Sequence, residues 1–207
     1  QEALRLALGC DLSSGSARPY WLAEPTQDLR RFRTGSARPY GLGAGPSRCQ
    51  TQLMDIEHLL HPPTATAQLA HEVSERWSSP ALHNHSVRSW VWAKTLGESI
   101  GLAFDEELLY VAALLHDLGV TETFDSHTVP FETAGGAVAA VFAAGAGWSP
   151  ERRERVQRII ERHMWVSVDP EADAEGYLLE MATSLDVSAA SPEKWDADLL
   201  RVVTAAL

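Results

Sequence analysis

From Met54 onward the apolar positions of this chain recur at helical spacing, and one stretch organises the rest. In Glu107–Gly119, eight apolar residues, Leu108 to Leu115, run without a charge and end on His116-Asp117. At ~1.5 Å per residue, Glu107 to Leu118 makes about three turns of helix, apolar on every side. Gly119 fits the usual C-terminal stop. A buried imidazole and carboxylate left unpaired would cost several kcal/mol or shift their pKa values until they neutralised. The economical partner is a divalent cation, since adjacent residues lie ~100° apart around a helix and can reach a shared ion off its end. The negative end of the helix dipole favours a cation there too. Taken alone, the segment fits equally well a core helix finished by a surface His-Asp pair.

The flanking pattern predicts further helices. Met54–Leu60 is a short amphipathic piece stopped by Pro62-Pro63, and Thr64 caps the next helix, with Leu69, Val73 and Trp77 on one face, up to Ser78-Ser79-Pro80. His58, His61 and His71 lack partners at ligand spacing and read as surface or boundary residues. A third helix begins near Asn84 or His85, with Trp92 and Leu96 at i+7 and i+11, so His85 points to the apolar side. Asp105 caps the central helix. After a loop, Thr121 to Pro130, FETAGGAVAAVFAAGAG forms a helix so rich in Gly and Ala that a neighbouring backbone must approach it closely, with Glu132 in its first turn. Ser149-Pro150-Glu151 starts a helix that puts Val156, Ile159, Ile160 and His163 on one face. Tyr177 to Ala190 carries the stripe Leu178, Ala182, Leu185 and Ala189, with Asp186 on the buried side, and a weak helix spans Asp196–Leu207.

Residues 1–50 differ in texture. They are rich in Gly, Ser, Pro and Arg, and GSARPY occurs twice, at Gly15–Tyr20 and Gly35–Tyr40. We read them as a poorly ordered extension with room for a short helix at Glu2–Leu8, ahead of one all-α domain over 51–207. Cys10 and Cys49 have no zinc-ligand spacing and make no disulfide framework; with no membrane span or secretory leader, the expectation is a cytoplasmic protein. The net charge of −11 is unevenly placed: seven arginines face four acidic residues in 1–50, against ten basic and twenty-four acidic residues in the remainder. So acidic a domain is a poor nucleic-acid binder, and the Arg152–Arg162 cluster, interleaved with glutamates, reads as a solvated helix face. Trp90, Trp92, Trp148 and Trp165 exceed what one small core is expected to bury, which leaves room for a homo-oligomer.

Each long helix therefore contributes an inward ligand-type residue: His85, His116 with Asp117, Glu132, His163 and Asp186. Pooled, they form a mixed N/O set that suits zinc, iron or manganese. The order His…His-Asp…Asp resembles the HD-domain superfamily of metal-dependent hydrolases, over roughly Thr64 to Ala190. NHSVR at Asn84–Arg88, LLHDLGVT at Leu114–Thr121, FETAGG at Phe131–Gly136, IIERH at Ile159–His163 and LDVS at Leu185–Ser188 are similar to its cyanamide hydratase-type branch, which hydrates a nitrile. The resemblance implies a single HD-domain helical bundle. His85, His116, Asp117 and Asp186 would be ligands of one divalent ion, zinc first and iron or manganese next. Glu132 and His163 would line the substrate side.

The expected chemistry is attack on a small-molecule substrate by a metal-bound hydroxide, with Asp117, Glu132 and His163 in catalytic roles. Arg88, one turn after His85, is placed to pair with Asp117 or Asp186, or to face solvent. Two departures bear on rival readings. HD phosphodiesterases often read HD-x-G-K, whereas Val120 follows Gly119 here, which weakens a phosphohydrolase reading. Two-metal members usually place a histidine near the position of Glu132. A non-catalytic, metal-stabilised module is the third alternative. The stretch after Asp186 departs from the hydratase pattern, so the substrate does not transfer.

Overall fold

The computed structural model describes residues 56–207; the expectations for residues 1–50, for the two cysteines and for Met54-Asp55 lie outside them. After a helical turn at 56–60 come α1 (Ala65–Trp77), α2 (Pro80–Ile100), α3 (Glu106–Leu115), a 3-10 turn (Leu118–Val120), α4 (Phe131–Gly145), α5 (Pro150–Arg162), α6 (Ala174–Ser188), a second 3-10 turn (Pro192–Lys194) and α7 (Ala197–Ala206). The protein is all-α, and among the described residues no helix is long and apolar enough to cross a membrane.

The apolar helix α3 is the hub. Leu108 through Leu115 are all buried, and α3 packs against α1, α2, α4, α5 and α6. Asp105 caps it, its side chain accepting from the Leu108 N–H. The α-helix ends at Leu115, three residues earlier than the pattern predicts, and His116-Asp117 sit on the turn that leads into the 3-10 element. Gly119 is not a left-handed stop. A Cβ there would lie 2.0 Å from the Phe131 carbonyl oxygen, and one on Gly135 would lie 2.6 Å from the His116 carbonyl oxygen. The glycines thus let α4 and the His-Asp turn meet backbone to backbone, as the small-residue content of α4 predicts.

Other boundaries moved for local reasons. Helix α2 starts at Pro80 with Ser79 as its cap, so the serine-proline step that ends α1 also opens α2, and His85 stands inside the helix rather than at its start. On α1 the buried side is Ala67, Ala70 and Ser74, while Leu69 and Trp77 remain 50% and 43% exposed: small residues let α1 lie close on α3 and turn the larger stripe outward. Helix α6 opens at Asp173 and closes on Ala189, which is left-handed (φ 54°) and exposed, so the stripe ends at Leu185.

The Arg152–Arg162 row is a solvated face only in part. Arg152 pairs with Asp105 and Glu107, and Arg155 and Arg162 both pair with the buried Asp173, tying α5 to the N-termini of α3 and α6. Trp90, Trp92 and Trp148 are also buried, against the expected aromatic surplus; Trp165, at 54%, is the exposed one of the four.

Candidate metal centre

Two helix ends and one helix interior bring the site together. Histidine 85 projects from the second turn of α2, His116 and Asp117 follow α3, and His163 closes α5; all four are buried. Each imidazole commits its Nδ1 to an acceptor that has no proton to give. His116 Nδ1 donates to the Ala113 carbonyl at 2.8 Å, His163 Nδ1 donates to the Ile160 carbonyl, and His85 Nδ1 donates to Asp186 Oδ2 at 2.7 Å. In the neutral rings every Nε2 therefore carries a bare lone pair.

Those lone pairs converge on a carboxylate. His116 Nε2 and His85 Nε2 stand 3.3 and 3.5 Å from Asp117 Oδ2 and 3.2 Å from each other, and His163 Nε2 is 3.8 Å from Asp117 Oδ1. The rings of His116 and His163 meet edge to face at 4.9 Å, and Phe131 packs against the far side of His163 at 5.8 Å. Neither oxygen of Asp117 has a hydrogen-bond partner. A buried anion surrounded by lone pairs is stable only with a cation among them, and the atoms of His85, His116 and Asp117 lie within 4.8 Å of one another. This donor set fits a divalent ion with nitrogen and oxygen ligands.

The same buried groups also act on one another electrostatically. Burial disfavours charge on Asp117, but the adjoining His116, with His85 and His163, holds its carboxyl well below the usual range. Burial likewise opposes charge on His116, yet Asp117 raises its pKa. For His163 burial wins, reinforced by repulsion from His116, and its pKa is pushed down to about 4.

Asp186 does not join the converging atoms. It stands behind His85, where Oδ1 accepts from Arg88 Nε at 2.7 Å and from Trp92 Nε1 at 3.0 Å, while Oδ2 accepts from Arg88 Nη2 at 2.8 Å and from His85. A carboxylate bonded to Nδ1 lies across the ring from anything held by Nε2. Burial works against its charge, but Arg88 and His85 keep the Asp186 carboxyl well below the carboxylate range. The pairing of Arg88 with Asp186 settles which of its two candidate partners it takes. Trp92 is a member of the cluster that the sequence marks only as apolar; its spacing, one turn past Arg88 and two past His85, was the available signal. Glu132 is half-buried in the first turn of α4, next to Phe131, and makes no hydrogen bond or ion pair among the described residues.

A family model for the HD domain matches residues 82–206, a span that holds His85, His116-Asp117, His163 and Asp186. The chain is also similar to two cyanamide hydratases of Saccharomyces cerevisiae, DDI2 and DDI3, each 28% identical over 129 residues. The matched region covers 60% of this chain and 57% of each yeast protein, so the chain spans little more than half the length of the relatives it matches. With two helices delivering His85 and the His116-Asp117 pair to one buried point, and with most of its length matched by the family, the chain belongs to the HD domain family.

Proposed function

We propose that the protein is a metal-dependent hydratase that adds water across the carbon–nitrogen triple bond of a small neutral nitrile such as cyanamide. The observation that carries the metal is the orphaned Asp117 carboxylate facing three bare histidine nitrogens. Histidine 85 and His116 would hold the ion through Nε2 and Asp117 through Oδ2. Asp186, expected as a fourth ligand, would act in this arrangement by holding the His85 ring. Zinc suits the set first, iron or manganese next. A bound ion of this kind supplies Lewis acidity and lowers the pKa of water from ~15.7 to near 7.

The remaining steps belong to side chains. His163, neutral and bare at Nε2 beside Asp117 Oδ1, is suited to orient a water and accept its proton. Glu132, uncommitted in the first turn of α4, would relay that proton to the nitrile nitrogen as the carbon–oxygen bond forms. Support for a neutral substrate comes from the cations. Arg88 is engaged with Asp186 and Arg162 with Asp173, and the turn after Asp117 reads Leu-Gly-Val with no lysine for a phosphate. That preference agrees with the yeast relatives, which are cyanamide hydratases by name.

The test is an assay of purified protein, with metal content measured, on cyanamide and other nitriles beside nucleoside monophosphates. Urea formed from cyanamide, with one divalent ion per chain, is expected. Phosphate release without nitrile turnover would assign a phosphohydrolase instead, and a bound ion with neither activity would leave a metal-stabilised module.

A further inference from the structure

The Asp186 carboxylate is satisfied to an unusual degree. It accepts from four N–H groups: both Arg88 contacts at 2.7 and 2.8 Å, the Trp92 indole at 3.0 Å and the His85 imidazole at 2.7 Å. All four residues are buried, with Trp92 and His85 each at 2% exposure. Three of them, His85, Arg88 and Trp92, lie on one face of α2, while Asp186 reaches them from α6. A rigid helix thus presents both the ring to be oriented and the donors that fix the group orienting it.

We infer that Trp92 and Arg88 are positioning residues for the metal centre, acting through Asp186 to lock the His85 ring with Nε2 toward Asp117. The inference rests on the metal reading above. Its physical basis is that a ligating histidine needs its other nitrogen held, and the holder needs its own lone pairs filled to keep one orientation. The guanidinium fork sets the plane of the carboxylate, because Nε and Nη2 meet its two oxygens in parallel. The indole N–H takes the second lone pair of Oδ1, leaving Oδ2 to face His85. Without the indole one lone pair of Oδ1 goes unfilled, and the hold on the carboxylate, and through it on the imidazole, loosens.

The structure contains its own control. Trp195 is another buried tryptophan that donates an indole N–H, at 2.9 Å, but its acceptor is the backbone carbonyl of Trp92 rather than Asp186. Trp92→Phe and Trp195→Phe therefore remove comparable buried hydrogen bonds, only one of which bears on His85. The experiment measures cobalt(II) affinity by chelator competition for wild type and both variants, with thermal unfolding of the metal-free proteins alongside. Trp92→Phe is expected to lose about tenfold or more in affinity, the scale seen when partners of ligating histidines are removed, while Trp195→Phe binds like wild type. Arg88→Lys keeps the charge but loses the fork, so a comparable loss is expected there, which covers the case of a Trp92 variant that does not fold. Equal affinities in wild type, Trp92→Phe and Arg88→Lys would overturn the inference while leaving the metal reading intact. Equal losses in both tryptophan variants would assign the effect to core packing and also overturn it. A wild-type chain that binds no divalent ion would overturn both.

Discussion

Gly119 and Phe131 touch through their backbones: a Cβ added to Gly119 would come within 2.0 Å of the Phe131 carbonyl oxygen. That contact holds the turn after His116-Asp117 against the start of α4, and a backbone carbonyl cannot rotate aside as a side chain can. Gly119→Ala should therefore destabilise the fold by about 1–3 kcal/mol, the usual scale of overpacking, and should weaken divalent-ion binding because the turn carries two ligand candidates. Urea unfolding and metal titration would check it. An unchanged midpoint would mean that α4 can retreat at little cost.

Removing the ion should matter to stability as well as to activity. With Asp117 unpaired among histidine lone pairs, the folded chain should have an affinity for a divalent cation that the unfolded chain lacks. At a free metal concentration of a hundred times Kd, that linkage raises stability by about 2.7 kcal/mol. A chelator should lower Tm, and zinc should restore it. Asp117→Ala should show neither response, even if the variant itself is stable.

Asp173 provides a pH dependence away from the metal. Burial alone would raise its pKa, but Arg155, the Gly176 N–H and Arg162 together lower it. A carboxyl with a depressed folded-state pKa contributes stability that is fully present above the unfolded value, near 3.8. That contribution is lost as pH falls through the lower folded value. Asp173→Asn should thus cost about 2–4 kcal/mol at pH 7, toward the lower part of the range for breaking a buried pair because both arginines are partly exposed. The gap between wild type and variant should narrow steadily below about pH 4. A constant gap down to pH 2 would show that the carboxylate charge is not what holds α5 to α6.

Much of this arrangement was legible in the residues. The caps at Thr64, Asp105 and Ser149 identify three helix starts, since a side-chain oxygen before an apolar run satisfies N–H groups that have no helical partner. His85 and His163 could be placed inward from periodicity, whereas His116-Asp117 alone fitted a surface pair equally well and gained their inward reading only from the pooled set. What periodicity does not convey is distance along a buried face. It puts Asp186 on the inner side of α6 but cannot say whether its oxygens reach the Nε2 side of His85 or, as found, its Nδ1. Trp92 was hidden for a related reason, because a tryptophan on an apolar stripe is expected to fill volume, and its N–H is noticed only when an acceptor appears opposite. Leu69 and Trp77 failed in the other direction. The alanines on either side of Leu69, Ala67 and Ala70, allow closer helix packing than a large-residue stripe would, so the outward turn of α1 depends on α3.

Arg88 and Asp186 offer a way to separate the fold's demand for this cluster from the metal's. Each is 8% exposed, and the pair is joined by two hydrogen bonds, so removing either partner strands a buried charge. Arg88→Met and Asp186→Leu should each cost about 3–5 kcal/mol. Together the two apolar side chains replace the pair with packing, and such replacements are often neutral or stabilising, so the double variant should recover most of that loss. Ion affinity should not recover, since nothing then holds His85 Nδ1. A double-mutant cycle followed by both urea unfolding and metal competition would show strong coupling in the first measurement and little in the second. If affinity returned with stability, the Asp186–His85 contact would be serving the fold, and the ring would be held by its packing against the neighbouring His116, 5.1 Å away between centroids.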